Sequence, residues 1–258
     1  MLFMITACQT TLAQNAGFFM TADIGAGLPS GVGNLPGSNG NIYTNVPYSL
    51  GSGFNFDIGG TYMSGKYLGA GLDLTGIWGF DQKASLILPS VSVVTKKTGS
   101  LLAVTPTITL SANSAKINPY ARFGIVVGVP SYTVSTTETG QNFVQGTNID
   151  VYSGGFSVGW YSAIGIQYPL NKRLTINAEL FDRDLSYVAT TKTNTQAYNG
   201  QQTAPVQTLV TKDNNPNNSQ EFASYVPFGS IGIKIGIAMK IEKGNKPHKV
   251  KKKREKRT

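Results

Sequence analysis

Histidine and cysteine each occur once in this chain of 258 residues, as His248 and Cys8. A single cysteine excludes a disulfide within the monomer. The single histidine lies in the basic stretch beyond the last patterned segment, so no Ser-His or Asp-His constellation is expected among the patterned segments and no His and Cys set for a metal. Long apolar runs are also missing. Nothing approaches the ~18 consecutive apolar residues of a transmembrane helix. Charge is scarce until the end: residues 243–258 hold nine Lys or Arg against one Glu, +8 of the whole chain's +9.

What the chain does have is a two-residue rhythm from Gly17 to Ile241. In the stretch from Phe54 to Tyr62, even positions are mostly large and apolar while odd positions are polar or tiny. Leu68, Ala70, Leu72, Leu74 and Trp78 then share one face, against Gly69, Gly71, Asp73 and Thr75. Strict alternation predicts strands, because successive side chains of a strand point to opposite faces.

The rhythm predicts eight strands, at 17–28, 53–63, 67–80, 101–111, 117–129, 154–168, 173–187 and 223–241. Each reaches the ~9–11 residues that a tilted strand needs to cross a bilayer. Three connections are short, at 64–66, 112–116 and 169–172, and alternate with four long polar ones at 29–52, 81–100, 130–153 and 188–222. Within 81–100, Leu86 to Leu88 and Val91 to Val94 allow either an extension of the flanking strands or an added hairpin. Short turns at one end and long loops at the other are the asymmetry of outer-membrane barrels. A spanning chain without such helices must close its sheet to satisfy every backbone group in lipid.

Soluble barrels use the same alternation with apolar side chains inside, so the polar face has to decide. Here that face is mostly Gly, Ala, Ser and Thr, as at Gly159, Ala163 and Gly165 or Ser230, Gly232, Gly236 and Ala238. A water-facing exterior would carry far more Lys and Glu. The chain's 30 glycines fit a narrow interior and exceed the ~7% of average usage. The opposite rows, Phe156 to Tyr168 and Ile231 to Ile241, contain no charge and fit lipid. Tyr62, Tyr168 and Trp78 fall near strand ends, where interfacial aromatics belong.

The fold expected is a closed, antiparallel, up-and-down eight-stranded transmembrane β-barrel, all-β, with long external loops and short periplasmic turns. Its inward face carries Asp23, Asp57, Asp73, Arg122, Glu179, Arg183 and Lys234, each near mid-strand. Lone charges in so narrow a lumen are costly, so these should pair, with Arg122 and Glu179 as the expected partners. Such a cluster reads either as a polar core that plugs the barrel or as an ion-selective gate. Eight strands leave room for side chains rather than a wide channel. Leu101, Val126 and Phe181 are the inward apolar residues that a solute path would use. Asp182 and Asp184 are closely spaced carboxylates, read as a polar strand end, with a catalytic pair or a calcium-type cation site as the alternatives. No cofactor or metal is expected.

Residues 1–14 read as a secretory signal segment lacking its basic front, with Thr11-Leu12-Ala13-Gln14 as the cleavage region. Ile5-Thr6-Ala7-Cys8 also fits a bacterial lipobox, the alternative fate of Cys8. Residues 15–242 are expected to form the barrel domain. Residues 243–258, including Lys249, Lys251, Lys252, Lys253, Arg254, Lys256 and Arg257, read as a disordered basic tail. In the periplasm its available partners are anionic: lipid headgroups, cell-wall polymers or an acidic protein.

From Gly17 to Ile241 the chain resembles the small outer-membrane barrels of the OmpA-transmembrane-domain, OmpX and OmpW type. Lys234, Gly236, Met239 and Ile241 resemble the final-strand signal read by the barrel-assembly machinery. The last position is Ile241 where an aromatic is usual, and seventeen residues follow it. The resemblance implies a non-enzymatic, monomeric protein of the outer membrane of a Gram-negative-type bacterium, surrounded by outer-membrane lipids and with no nucleic-acid partner. It implies either a structural or surface-interaction scaffold or, as in the OmpW type, a narrow conduit for small, mostly apolar solutes. Enzymatic barrels resemble one another in using a histidine beside Ser or Asp, which this chain lacks.

Overall fold

The computed structural model describes residues 17–30, 32–36, 43–87, 90–114, 116–140, 143–198, 201–211, 221–222 and 224–241. Eight strands build the wall: β1 (Gly17–Pro29), β2 (Gly53–Met63), β3 (Leu68–Gly79), β4 (Val91–Ser111), β5 (Asn118–Gly140), β6 (Ser157–Pro169), β7 (Leu174–Tyr187) and β8 (Ser230–Ile241). Each pairs antiparallel with its neighbours in sequence. β8 returns to β1, with Phe18 opposite Ile241 and Leu28 opposite Ile231, so the ring closes. Among the described residues no helix is long and apolar enough to cross a membrane.

The three short turns lie together at one end. Ser64 N–H donates to Leu68 O at 3.0 Å, Ala112 N–H to Pro119 O at 2.9 Å and Leu170 N–H to Leu174 O at 2.9 Å. Asn113 takes the left-handed conformation (φ 53°), which Asn tolerates better than most side chains. The residues expected to form signal and tail, 1–14 and 243–258, lie outside the described residues, and with them Cys8, His248 and the seven named tail cations.

At the other end, all four expected loops contain strands. In the first, Val32–Pro36 pairs antiparallel with Tyr43–Pro47. Residues 91–100 continue β4 and pair with Gln82–Ile87, so the second connection both adds a hairpin and extends a strand. β5 runs on to Gly140 and pairs with Phe143–Ser153, which pairs with Thr191–Tyr198, and that with Val206–Thr211. One side of the barrel wall therefore rises beyond the rest of the ring as a sheet. The alternation weakens there because water can lie on both faces, while Thr and Val retain their preference for a pleated surface.

Two strand starts also differ from expectation. β6 begins at Ser157 rather than 154, because Gly154 (φ 81°) and Gly155 (φ 78°) turn the chain into the barrel. A Cβ at Gly154 would collide with the Thr190 hydroxyl. Gly154→Ala is expected to destabilise the refolded barrel by about 1–2 kcal/mol, the usual cost of a left-handed residue with a side chain, read as a lower urea midpoint. β8 begins at Ser230 rather than 223. Val226–Pro227 instead forms a separate short pairing with Tyr187 and Ser186.

Candidate functional site in the barrel lumen

Alternation aims one face of every strand inward, and the structure places Asp23, Asp57, Asp73, Arg122, Glu179, Arg183 and Lys234 in the interior, all buried. Asp23, Asp57 and Asp73 occupy the β1 to β3 wall, with Asp23 directly opposite Asp57. The cations occupy β5, β7 and β8, and Glu179 sits among them. Ion pairs therefore cross the lumen. Lys234 Nζ lies 3.1 Å from Asp57 Oδ2 and 3.1 Å from Glu179 Oε1. Arg122 pairs with Asp73, and its Nη1 lies 3.6 Å from Glu179 Oε2.

The expected Arg122 and Glu179 contact is thus present but is the longer of these two. Both acids lie two strands away from Arg122. Glu179 is already engaged by Lys234 and by two tyrosines, which leaves Asp73 as the closer partner. Neutral groups complete the network. The Tyr120 hydroxyl donates to Glu179 Oε2 at 3.1 Å, the Tyr161 hydroxyl donates to Glu179, and Lys234 donates to the Tyr161 hydroxyl at 2.6 Å. Thr75 donates to Asp57, Asn177 donates to Asp23 Oδ1 at 2.5 Å, and Arg183 donates to Asn55 Oδ1 at 3.2 Å. Lys234, Arg122 and Arg183 lie 4.7, 5.8 and 5.9 Å from the Tyr161 ring centroid, a favourable placement for cations around an aromatic ring.

Small residues make room for this network. A Cβ at Gly165 would meet the Tyr120 ring, and one at Gly236 would collide with the Asp23 carboxylate. Toward the short turns the interior continues as a polar cluster, in which Asn118 Nδ2 donates to Ser111 at 2.8 Å and to Gln167 at 3.2 Å.

Toward the long loops the interior becomes apolar. Leu101, Val126 and Phe181 are buried with Ile77, Leu185 and Tyr187, and two segments from outside the wall, 48–52 and 226–229, add Tyr48, Leu50 and Phe228 to the same cluster. Leu50 and Phe228 are fully buried. The two segments hold each other: Leu50 N–H donates to Pro227 O at 3.0 Å, and the Ser49 hydroxyl donates to Gly229 O at 2.5 Å. Phe228 meets the Tyr187 ring edge-on at 5.7 Å, and Tyr187 meets Tyr132 edge-on at 6.2 Å. Lys97 lies 5.1 Å from the Tyr48 ring centroid. Burial makes the Tyr48 hydroxyl harder to ionise than an ordinary tyrosine.

Tyr120, Tyr161, Asn55, Asn177, Thr75, Tyr48, Leu50 and Phe228 were not singled out by the sequence. Parity offered a signal for several: Tyr120 shares the inward row of Arg122, Tyr161 that of Ala163, and Phe228 that of Lys234. Leu50 lies in a connection without alternation and had no such signal.

The exterior is an apolar belt. Ile24, Phe56, Leu72, Val104, Ile125, Ile164, Leu180 and Ile235 are exposed, one from each strand. Tyr62 and Tyr168 are exposed near the short turns, and Trp78 and Trp160 toward the long loops. Asp182 and Asp184 point outward at the long-loop end of β7, beside Ser162 and Trp160 of β6. Among the described residues no group of three or more His, Cys, Asp or Glu could hold a metal ion. Asp81, outside the strands, has its carboxyl held below the usual range by a hydrogen bond from Lys96 and another from Thr98.

A closed antiparallel barrel with its charges inside and an apolar belt outside is built to span a membrane. No family model matches this chain, and no curated protein matches it. Among solved structures it is similar to a major outer membrane protein from Thermus thermophilus, at 12% identity and a TM-score of 0.47, over 87% of this chain and 99% of that one. It is also similar to the outer membrane protein OprG from Pseudomonas aeruginosa, at 13% identity and a TM-score of 0.44, over 90% of this chain and 99% of that one. For CarO of Acinetobacter baumannii the identity is 11% and the TM-score 0.30, over 88% of this chain and 99% of that one. Likeness at this level assigns neither an activity nor a ligand.

Proposed function

We propose that this protein is a non-enzymatic, integral outer-membrane barrel that acts as a structural or surface-interaction scaffold, with a lumen plugged by its own side chains. The observation that carries this reading is the presence of buried, mutually bonded side chains at successive levels of the interior, from Asn118 through the Lys234 and Arg122 network to Leu50 and Phe228. The short turns then face the periplasm, and the sheet built from β4, β5 and their added partners faces outward. Loops and edges on a rigid wall are where binding surfaces commonly sit. In the periplasm, the Lys249 to Arg257 tail would meet anionic partners, and Lys234, Gly236, Met239 and Ile241 would serve the assembly machinery.

A second reading, a narrow conduit for small apolar solutes that leave sideways into the membrane, is favoured by one feature. The β4 and β5 ladder pairs Val104 with Val127 and Thr107 with Gly124, but skips Thr105 and Pro106. Proline has no N–H to give a ladder, so the seam is weakest there. Planar-bilayer recordings of the refolded protein test the scaffold. It predicts a folded, silent barrel, and steady discrete openings would favour the conduit.

A further inference from the structure

We propose that a groove on the lipid-facing surface at the short-turn end binds one anionic phospholipid of the periplasmic leaflet, with an acyl chain in the groove and the phosphate against Lys116 and Lys172. The groove has a volume of about 740 Å³ and is lined by Leu110, Pro119, Ala121, Ile166, Ala178 and Leu180, among others. That volume lies within the ~300–1,000 Å³ of typical ligand sites. Its cause is local. Pro119 pairs with Ile166, and Ile166 with Ala178, so two small side chains flank a large one in a belt otherwise dominated by Ile, Leu and Phe.

The second observation is charge. The three short turns carry Lys66, Lys116, Lys172 and Arg173 and no acid, whereas the outward carboxylates Asp81, Asp182 and Asp184 lie at the opposite end. Lys116 and Lys172 are exposed. Asn118 is opposite Gln167 in the ladder, which brings the two lysine-bearing turns to adjacent strand ends directly below the groove. Tyr168, exposed one outward position nearer the turn than Ile166, marks the interface where a headgroup would lie. A second copy seated symmetrically on this face would bring its own lysines against these, whereas an anionic headgroup is attracted to them.

This proposal rests on the outer-membrane reading, and heat-dependent gel mobility after refolding into vesicles tests that reading separately. The site itself is tested by native mass spectrometry of the full chain extracted from vesicles of equal phosphatidylglycerol and phosphatidylcholine. The wild type should retain one phosphatidylglycerol in preference to phosphatidylcholine. Lys116→Gln with Lys172→Gln should abolish the preference. Ala121→Phe, which fills the groove from a half-buried position on its floor, should abolish retention of both. Equal retention of the two lipids by the wild type, a preference that survives the lysine changes, retention that survives Ala121→Phe, or a lipid-free dimer would overturn the proposal.

Discussion

Lys234→Ala is expected to produce a large loss of stability in the refolded barrel, about 3–5 kcal/mol, the cost of stripping the partner from buried charges. Lys234 is 3% exposed and is the shared cation of Asp57 and Glu179. Its removal leaves both carboxylates closer to uncompensated and takes a donor from the Tyr161 hydroxyl. Arg122→Ala should act similarly through Asp73, and Glu179→Ala through Lys234 and the two tyrosines. Because these groups form one network, the Arg122 and Glu179 double variant should lose less than the sum of the single losses. Urea midpoints in detergent measure all four. Single variants that unfold at the wild-type midpoint would remove the network as a source of stability.

Phe228→Ala is the second large effect, expected to cost about 3–5 kcal/mol for a buried aromatic. The Phe228 ring contacts Tyr187 and belongs to the apolar cluster at the long-loop end with Leu50. The same variant should stay electrically silent, since the charged layer beneath is untouched. A Phe228→Ala barrel that keeps the wild-type midpoint would show that the inward segments 48–52 and 226–229 rest on the barrel without stabilising it.

The wall was legible in the sequence because lipid outside and a narrow polar interior impose opposite demands on alternate residues. That pressure places Asp57, Arg122 and Lys234 inward and Ile235 outward from the sequence alone. It ends at the membrane surface. Beyond it, Thr133 to Gly140 and Thr191 to Tyr198 form strands whose two faces have no such contrast, and they read as polar loops. Pairing was less legible than placement. Parity puts Arg122 and Glu179 on the inner face, but the competing hold of Lys234 and two tyrosines on Glu179 leaves Asp73 as the nearer partner of Arg122. The burial of Leu50 was least legible, since it reaches the interior from a connection whose sequence carries no rhythm.

The plugged lumen proposed here should not conduct, and single-channel conductance in a planar bilayer tests this most directly. After heat-dependent gel mobility confirms a folded barrel, the wild-type protein should insert and show no discrete openings. Steady openings whose size shifts with Arg122 or Glu179 substitutions would contradict the plugged scaffold.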